Sequence, residues 1–285
     1  NLKKASVAKL SFISQEMIVY SNNNFTDVID IIHVNPSFYY DEISNATFID
    51  YSLPKYNDYL FVVERDFEFY NDTFQSNHYK VGAIKSNEKA SHVLIDKCQF
   101  LNCAVKSDNE NGGAINFINC AVQCQRSDFI GCKSTTGGKG GGIYLTVNRS
   151  VNEKTLIEDC TFKGCTAYYG GAVFAYSKDK TKEILIQYCT FRENQVINDH
   201  PAGSAIYLMS YNSQIVGCRF RKNVGSCTVK IVNEFNNEIN NNKLVALNDK
   251  NIKINVKDCS FEIDASSLSS ISLTHEDSSS SSLIP

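Results

Sequence analysis

The cysteines are spaced closely enough in places to suggest metal binding or disulfide formation. Thiolates two to four residues apart, matched by a second pair or by histidines, are typical of zinc sites. Most of these cysteines instead recur in step with a longer repeat, so we interpret them as buried side chains and predict no metal and no cofactor. Disulfides between neighbouring repeats are the second interpretation, and Cys120 with Cys124, outside the repeat, are the better candidates for a bridge. The close pairs among the eleven cysteines are Cys98–Cys103, Cys120–Cys124 and Cys160–Cys165.

A second group of residues could support acid–base chemistry on a polysaccharide. Asp199 and His200 are adjacent, and Asp128, Asp159 and Arg192 lie in neighbouring repeats. Two carboxyl groups at a suitable separation can act as acid and base in glycoside cleavage. The positions of Asp128 and Asp159 alternate with those expected to point into the core, so we expect both to be solvated. We therefore predict no catalytic residue.

A phenylalanine motif that recurs along the chain indicates the secondary structure on which these groups lie. The motifs NATF, NDTF, KCQF, RSDF, DCTF, YCTF, GCRF and DCSF recur at intervals of 26, 26, 29, 33, 29, 29 and 41 residues. Periods of roughly 20 to 50 residues are typical of stacked structural units. The repeated residues are Phe48, Phe74, Phe100, Phe129, Phe162, Phe191, Phe220 and Phe261.

Other residue types keep step with the phenylalanine. A small–small–aliphatic group follows later in each repeat, as in GGAI at 112–115 and GGAV at 170–173. The cysteines two residues before the phenylalanine are Cys98, Cys160, Cys189, Cys218 and Cys259. The asparagines and cysteines three residues after it are Asn77, Cys103, Cys132, Cys165, Asn194 and Asn223.

Each repeat is typical of short strands. LIEDCTF and LIQYCTF alternate with period two over the length of a strand. One turn of a parallel β-helix fits best, because each strand then pairs with its copy and equivalent residues stack about 4.8 Å apart. We predict an all-β fold, a single-stranded right-handed parallel β-helix of about eight coils. Phenylalanine and cysteine columns would fill its core, and the asparagine or cysteine column would satisfy turn backbone groups.

The glycine pair fits the same geometry. Its first glycine suits a left-handed turn, and its second tolerates close approach of a neighbouring wall. We assign residues 46–265 to the β-helix, residues 1–45 to a degenerate first coil or N-terminal cap, and residues 266–285 to a serine-rich disordered tail. The interval of 41 residues before Phe261 is expected to hide one degenerate coil around NNEINNNKLVAL.

The charge and hydropathy of the chain argue against two classes of partner, nucleic acid and the membrane interior. Lys and Arg number 28 against 31 Asp and Glu, giving a net charge of −3. This balance does not favour nucleic acid, and the apolar runs are too short to form a transmembrane segment. The sequence does not begin with Met and shows no signal peptide.

The joint recurrence of GGAI and F-x-x-N motifs over about residues 45–262 resembles the repeats of polymorphic outer-membrane proteins. These are large bacterial surface proteins of the autotransporter type, and similar repeats occur in protist surface proteins. The resemblance implies a right-handed parallel β-helix of the pectin-lyase-like class, with adhesion and surface display. Several copies here have cysteine in place of asparagine, and neither a barrel nor a signal peptide is seen, so an autotransporter route is not expected. The N-T-D, D-D, G-H-G and R-I-K motifs of polygalacturonase-like enzymes are missing.

The strand after the glycine pair carries the candidate binding residues. The residue after the aliphatic one is expected to point outward in successive coils, as Asn116, Tyr144, Phe174, Tyr207 and Lys230. Exposed aromatic side chains often mark contact sites for sugars or proteins. We predict that Tyr144, Phe174 and Tyr207 form a binding strip; the alternative is that loops or the N-terminal region cover it.

These features favour a non-enzymatic protein, extracellular or at the cell surface, that binds a glycan or protein ligand as an adhesin would. Fold alone does not dictate this function. One alternative is a carbohydrate-active enzyme, a polysaccharide lyase or hydrolase. Another is a purely structural piece of a longer rod, which fits the missing Met.

Overall fold

The fold is seen in a computed structural model whose description covers most of the chain. Strands and turns make up the described residues, which contain no helix. Outside the main ranges, only the backbone of short strands is described. The main ranges are 41–49, 58–63, 66–76, 81–86, 90, 92–147, 154–197, 202–225, 227–232 and 253–262.

Three parallel sheets, named A, B and C in the order in which the chain enters them, form the walls of the molecule. Sheet A contains the strands Ala5–Ser6, Asn24–Thr26, Thr47–Ile49, Thr73–Gln75, Gln99–Leu101, Asp128–Ile130, Thr161–Lys163, Thr190–Arg192, Arg219–Arg221 and Ser260–Glu262. Sheet B contains Ser11–Phe12, Ile32–Val34, Tyr59–Val63, Gly82–Ser86, Ile115–Ile118, Ile143–Thr146, Val173–Tyr176, Ile206–Met209 and Val229–Val232. Sheet C contains Val19–Ser21, Asp41–Ser44, Phe67–Tyr70, His92–Asp96, Ala121–Gln125, Thr155–Glu158, Ile184–Gln187, Asn212–Val216 and Lys253–Lys257.

Each turn of the chain adds one strand to each sheet in the order A, B, C. Every strand pairs in parallel with its copy one turn later, as Phe129 does with Phe162 and Phe162 with Phe191. The protein is therefore an all-β parallel β-solenoid, which confirms the fold class predicted from the sequence. About five turns lie between residues 92 and 232, and flanking strands extend the sheets to ten, nine and nine strands, so the count differs slightly from the expected eight.

The repeated phenylalanines lie in one continuous internal column. From Phe48 to Phe261, neighbouring ring centroids are 4.7–5.2 Å apart and the ring planes differ by only 3–10°. The rings are buried as far as Phe220, and Phe261 is partly buried. The centroid separation matches the spacing of parallel strands, so each ring packs face to face on its copy in the next turn.

The backbone geometry at the corners of each turn explains why a pair of glycines recurs in the sequence. Gly140 and Gly170, the first of their pairs, have φ of +66° and +61°, the left-handed region that glycine adopts without steric cost. The second glycine is needed for a different reason. A Cβ at Gly141 would collide with the carbonyl oxygen of Gly171 in the next turn. Both roles agree with those expected from the sequence.

The long interval before Phe261 does not contain the extra coil that the sequence suggested. Phe220 pairs directly with Phe261 in sheet A, and Asn212–Val216 pairs directly with Lys253–Lys257 in sheet C. The prediction of a hidden coil is wrong, because these strands are direct neighbours and no further strand lies between them in sheets A and C. Long insertions of this kind cost little loop-closure entropy.

The chain ends lie largely outside the described residues. Short strands within residues 1–45 continue all three sheets. The predicted disordered tail, 266–285, lies outside the described residues except for Ser272–Thr274, which pairs with Lys243–Val245. A second small sheet joins Thr166–Ala167 to Gln195–Val196.

Candidate functional site

The outer face of sheet B brings the candidate binding residues together. Ile143, Val173 and Ile206 point into the core, so the residues that follow them point outward. Tyr144 pairs in register with Phe174, and Phe174 with Tyr207.

The three rings form a second stack, on the outside of the solenoid. The ring centroids of Tyr144 and Phe174 are 5.4 Å apart with planes 16° from parallel, and those of Phe174 and Tyr207 are 5.2 Å apart at 14°. Both faces of the Phe174 ring are therefore covered by the rings of its two neighbours.

Two further tyrosines extend this stack. The ring of Tyr169 meets Tyr207 edge to face at 5.4 Å, and Tyr168 meets Tyr169 in the same way at 5.0 Å. Both precede the glycine pair, and the N–H of Tyr168 donates to the carbonyl of Gly138 at 2.9 Å. We call Tyr144, Tyr168, Tyr169, Phe174 and Tyr207 the aromatic face. The sequence YYGG at 168–171 was the available signal for the two missed members.

Lysines border the aromatic face and cover its centre. The Nζ atom of Lys139 lies 5.0 Å from the ring centroid of Phe174, and that of Lys230 lies 6.0 Å from Tyr207. Such cation–π contacts are attractive. Phe174 is only 3% exposed, unlike the half-buried Tyr144 and Tyr207. The expectation of three exposed aromatics is therefore wrong for the middle one, because a loop lysine and two neighbouring rings surround it.

A polar cluster lies at one end of the aromatic face. Glu110 accepts hydrogen bonds from Lys85 Nζ and Asn116 Nδ2, both at 3.0 Å. Asn116 is buried and lies beside Tyr144 in the sheet. Burial, followed by the charges of Tyr176 and Glu110, raises the pKa of Tyr144. The hydroxyl of Tyr144 is therefore neutral at physiological pH and can donate a hydrogen bond to a ligand.

The cysteines before the repeated phenylalanines belong to the core. Cys98, Cys160, Cys189 and Cys218 are buried, and Cys259 is half-buried. Their thiols donate weak hydrogen bonds to carbonyl oxygens, as from Cys189 Sγ to Ile157 at 3.6 Å and from Cys218 Sγ to Ile186 at 3.7 Å. This cysteine column fills the core and provides hydrogen-bond donors for backbone carbonyl groups.

All eleven cysteines are free thiols, so the proposed bridge between Cys120 and Cys124 is wrong. Both are buried, and Cys124 points into the core from sheet C. The Sγ atom of Cys124 lies 3.8 Å from that of Cys160, one turn away, whereas Cys120 Sγ donates to the carbonyl of Ala121.

The asparagines and cysteines three residues after the repeated phenylalanines form a column at the turns, which we call the turn column. In it, thiols and side-chain amides make equivalent hydrogen bonds. Each donates to the carbonyl of the phenylalanine one turn earlier. Cys132 Sγ donates to Phe100 at 3.3 Å, and Asn194 Nδ2 donates to Phe162 at 3.0 Å. The same contact is made by Cys103, Cys165 and Asn223. Asn77 lies outside the described residues.

The acid–base candidates are spread over different elements. Asp128 lies on the outer face of sheet A, and Asp159 is an exposed corner residue with φ of 51°. Arg192 lies on sheet A next to Glu193. Asp199 and His200 lie outside the described residues. Within the described part, no group of three or more His, Cys, Asp or Glu side chains could hold a metal ion.

Fold and site together define a parallel β-solenoid with stacked aromatics inside and a second aromatic stack on one outer face. Comparisons with protein-family models, with curated proteins and with solved structures found no match to this chain. Among the residues described, none belongs to a helix long and apolar enough to cross a membrane.

Proposed function

We propose that this protein is a non-enzymatic binding protein, secreted or displayed at the cell surface, that holds a protein ligand on its aromatic face. The aromatic face itself carries this proposal. It gathers four tyrosines and one phenylalanine from two adjacent elements, sheet B and the loop before it. Tyrosine is enriched in protein-binding surfaces because it offers large contact area, a polar tip and little rotamer entropy to lose.

The ring geometry favours a protein over a sugar on this face. A sugar ring stacks on an open aromatic face, but both faces of Phe174 are packed against Tyr144 and Tyr207. The outer sides of these two tyrosines lie next to Asn116 and Lys230 in the sheet. What remains available are ring edges and hydroxyls. Lys139 and Lys230 border the rings. The complementary ligand is an apolar segment flanked by carboxylates.

We also propose that the repeats are of the polymorphic outer-membrane type, on a right-handed pectin-lyase-like helix. The glycine pair and the F-x-x-N or F-x-x-C positions, which recur once per turn at equivalent places, support this assignment. A location outside the cell follows from the resemblance. Free thiols are compatible with it, because nine of the eleven cysteines are buried and buried cysteines are inert to oxidants in solution.

A displayed random-peptide library, panned on the immobilised protein, tests the proposal. We expect enriched peptides to combine apolar residues with Asp or Glu. They should bind a Tyr169→Ser/Tyr207→Ser variant about tenfold or more weakly, the effect of losing a central contact. The matched control is Tyr70→Ser/Ile130→Ser, which changes two side chains that are each 37% exposed on other faces and should leave binding unchanged.

Two results would overturn this function. Peptides that bind the wild type and Tyr169→Ser/Tyr207→Ser equally well would show that the aromatic face is not the binding site. Release of oligosaccharides from a polysaccharide panel by the purified protein would replace it with the alternative, a polysaccharide lyase or hydrolase. A thermal melt of each variant verifies that the solenoid is intact.

A further inference from the structure

A strip of cations lies on the outer face of sheet A, on a different wall from the aromatic face. The residue after the repeated phenylalanine is Lys163, Arg192 and Arg221 in three successive turns. The strand register places Arg192 directly between the other two. Arg219, opposite Thr190, and the corner residue Lys222 add two more cations. We call these five residues the basic strip.

The basic strip carries more positive charge than its neighbours neutralise. Arg192 meets Glu193 at 3.4 Å, and Arg221 meets Glu262 at 2.9 Å. Both pairs are well exposed, and such ion pairs contribute little to stability. Within the described residues, the other three cations form no ion pair. Asp128 lies opposite Thr161 at one end of the strip, and Asp159 and Asp258 lie in the same column of corner residues as Tyr188 and Gly217.

Like charges directly opposite each other on neighbouring strands disfavour folding. Lys163, Arg192 and Arg221 repeat this arrangement over two consecutive strand pairs. The whole chain has a net charge of −3, so the strip is a local feature and not the result of a basic composition. A local row of cations that is only partly neutralised is the electrostatic complement of a polymer with regularly spaced anionic groups.

An exposed aromatic ring lies at the edge of the same strip. Tyr188 is 56% exposed at the corner that leads into the strand of Arg192. Its ring lies beside Gly217 in the next turn, where an added Cβ would be only 2.7 Å from Cδ1 of the tyrosine. Gly217 thus leaves room for the ring at the corner that precedes the strand of Arg219, and an exposed ring near cations suits an anionic sugar.

We propose that the basic strip and Tyr188 bind a linear sulfated polysaccharide laid along the solenoid axis. Successive strands set the cations about 4.8 Å apart along that axis. Sulfate groups along the polymer would accept charge-assisted hydrogen bonds from the arginines, and a sugar ring would contact Tyr188. Single-stranded nucleic acid uses a series of stacking aromatics, whereas the described residues of the strip include one exposed ring.

Binding to a heparin-coated sensor tests the proposal. In roughly 0.15 M salt, Arg192→Gln/Arg219→Gln/Arg221→Gln should bind about tenfold or more weakly and with a shallower salt dependence, because three charged contacts are lost. The matched control is Lys97→Gln/Lys154→Gln/Lys180→Gln, which removes the same charge from exposed sites elsewhere. It should change binding by no more than about twofold. Tyr188→Ser should weaken binding about threefold without altering the salt dependence.

Each competing result would overturn the assignment. Equal binding by the arginine variant and its control would mean that the strip is not the site. Equal binding of heparin and chemically desulfated heparin would exclude sulfate recognition. Single-stranded DNA or polyglutamate binding as tightly as heparin would mean that the site is not selective for a sulfated polysaccharide. Because the aromatic face lies on sheet B, peptide binding there should be unaffected by the arginine variant, which separates this proposal from the proposed function.

Discussion

Truncation of one ring in the internal column gives a quantitative test of the packing. Phe162 has no exposed surface, and its ring is stacked between Phe129 at 4.7 Å and Phe191 at 4.9 Å. Removing a fully buried phenylalanine side chain costs about 3–5 kcal/mol of unfolding free energy. Phe162→Leu keeps most of the volume and loses two ring contacts worth about 0.5–1.5 kcal/mol each, so about 1–3 kcal/mol is expected.

The end of the column supplies the matched control. Phe261 is partly buried and stacks on one described ring, Phe220, at 4.7 Å. Phe261→Ala should therefore cost about half as much as Phe162→Ala, roughly 2 kcal/mol. The difference between the variants comes from burial and the number of stacked neighbours, since the deleted atoms are the same.

Urea unfolding followed by circular dichroism measures these costs. The unfolding slope must be compared between variants, because stacked repeats can lose cooperativity and change it. A cost below about 1 kcal/mol for Phe162→Ala would contradict full burial. Equal costs at Phe162 and Phe261 would contradict the stacked column.

Two further predictions follow from the turn column and the buried thiols. Asn194 accepts from the N–H of Cys165 at 2.9 Å and donates to the Phe162 carbonyl, so Asn194→Ala should cost about 2–4 kcal/mol in urea unfolding by leaving two buried groups unpaired. Asn194→Cys, which restores the donor, should recover about 1 kcal/mol; a cysteine variant no more stable than the alanine variant would refute the equivalence of thiol and amide. Burial raises the pKa of the Cys98 thiol, so the stability that this thiol contributes is present at neutral pH and is lost as pH rises above the unfolded value, about 8.5. Between neutral pH and pH about 9.5 the wild type should therefore lose about 1 kcal/mol more stability than Cys98→Ala does, and urea unfolding that shows the same loss in both proteins would contradict this expectation.

The fold could be predicted from the sequence because each turn of the solenoid has the same packing requirements, so the same residue types recur once per turn. Phe162 and Phe191 are in register since every turn needs a large ring at one place in a narrow core. The glycine pair was equally readable, because left-handed φ at Gly140 and close approach at Gly141 each exclude a side chain. Asn194 and Cys132 could be aligned because both donate to the same carbonyl position.

Loops and insertions limited what could be predicted about the site. The cover over Phe174 comes from Lys139, which lies directly before a glycine pair and next to Tyr169 of the following turn. This position recurs in each repeat, but its residue type changes from turn to turn, so the spacing did not reveal the cover. Spacing alone also could not distinguish an added coil from an excursion before Phe261. The alternation placed Lys163, Arg192 and Arg221 on the outer face, but their adjacency becomes clear only from the strand register.

The most direct test of the account is a distance between two residues far apart in sequence. Thr73 and Thr190 occupy equivalent outward positions on sheet A, four strands apart through Gln99, Asp128 and Thr161. Spin labels introduced there as unnatural amino acids should give a pulsed-electron-resonance distance of about 19 Å, four strand spacings, within the reach of the label linkers. A distribution with no peak near this distance would contradict the stacking of one repeat per turn on which both proposed binding surfaces depend.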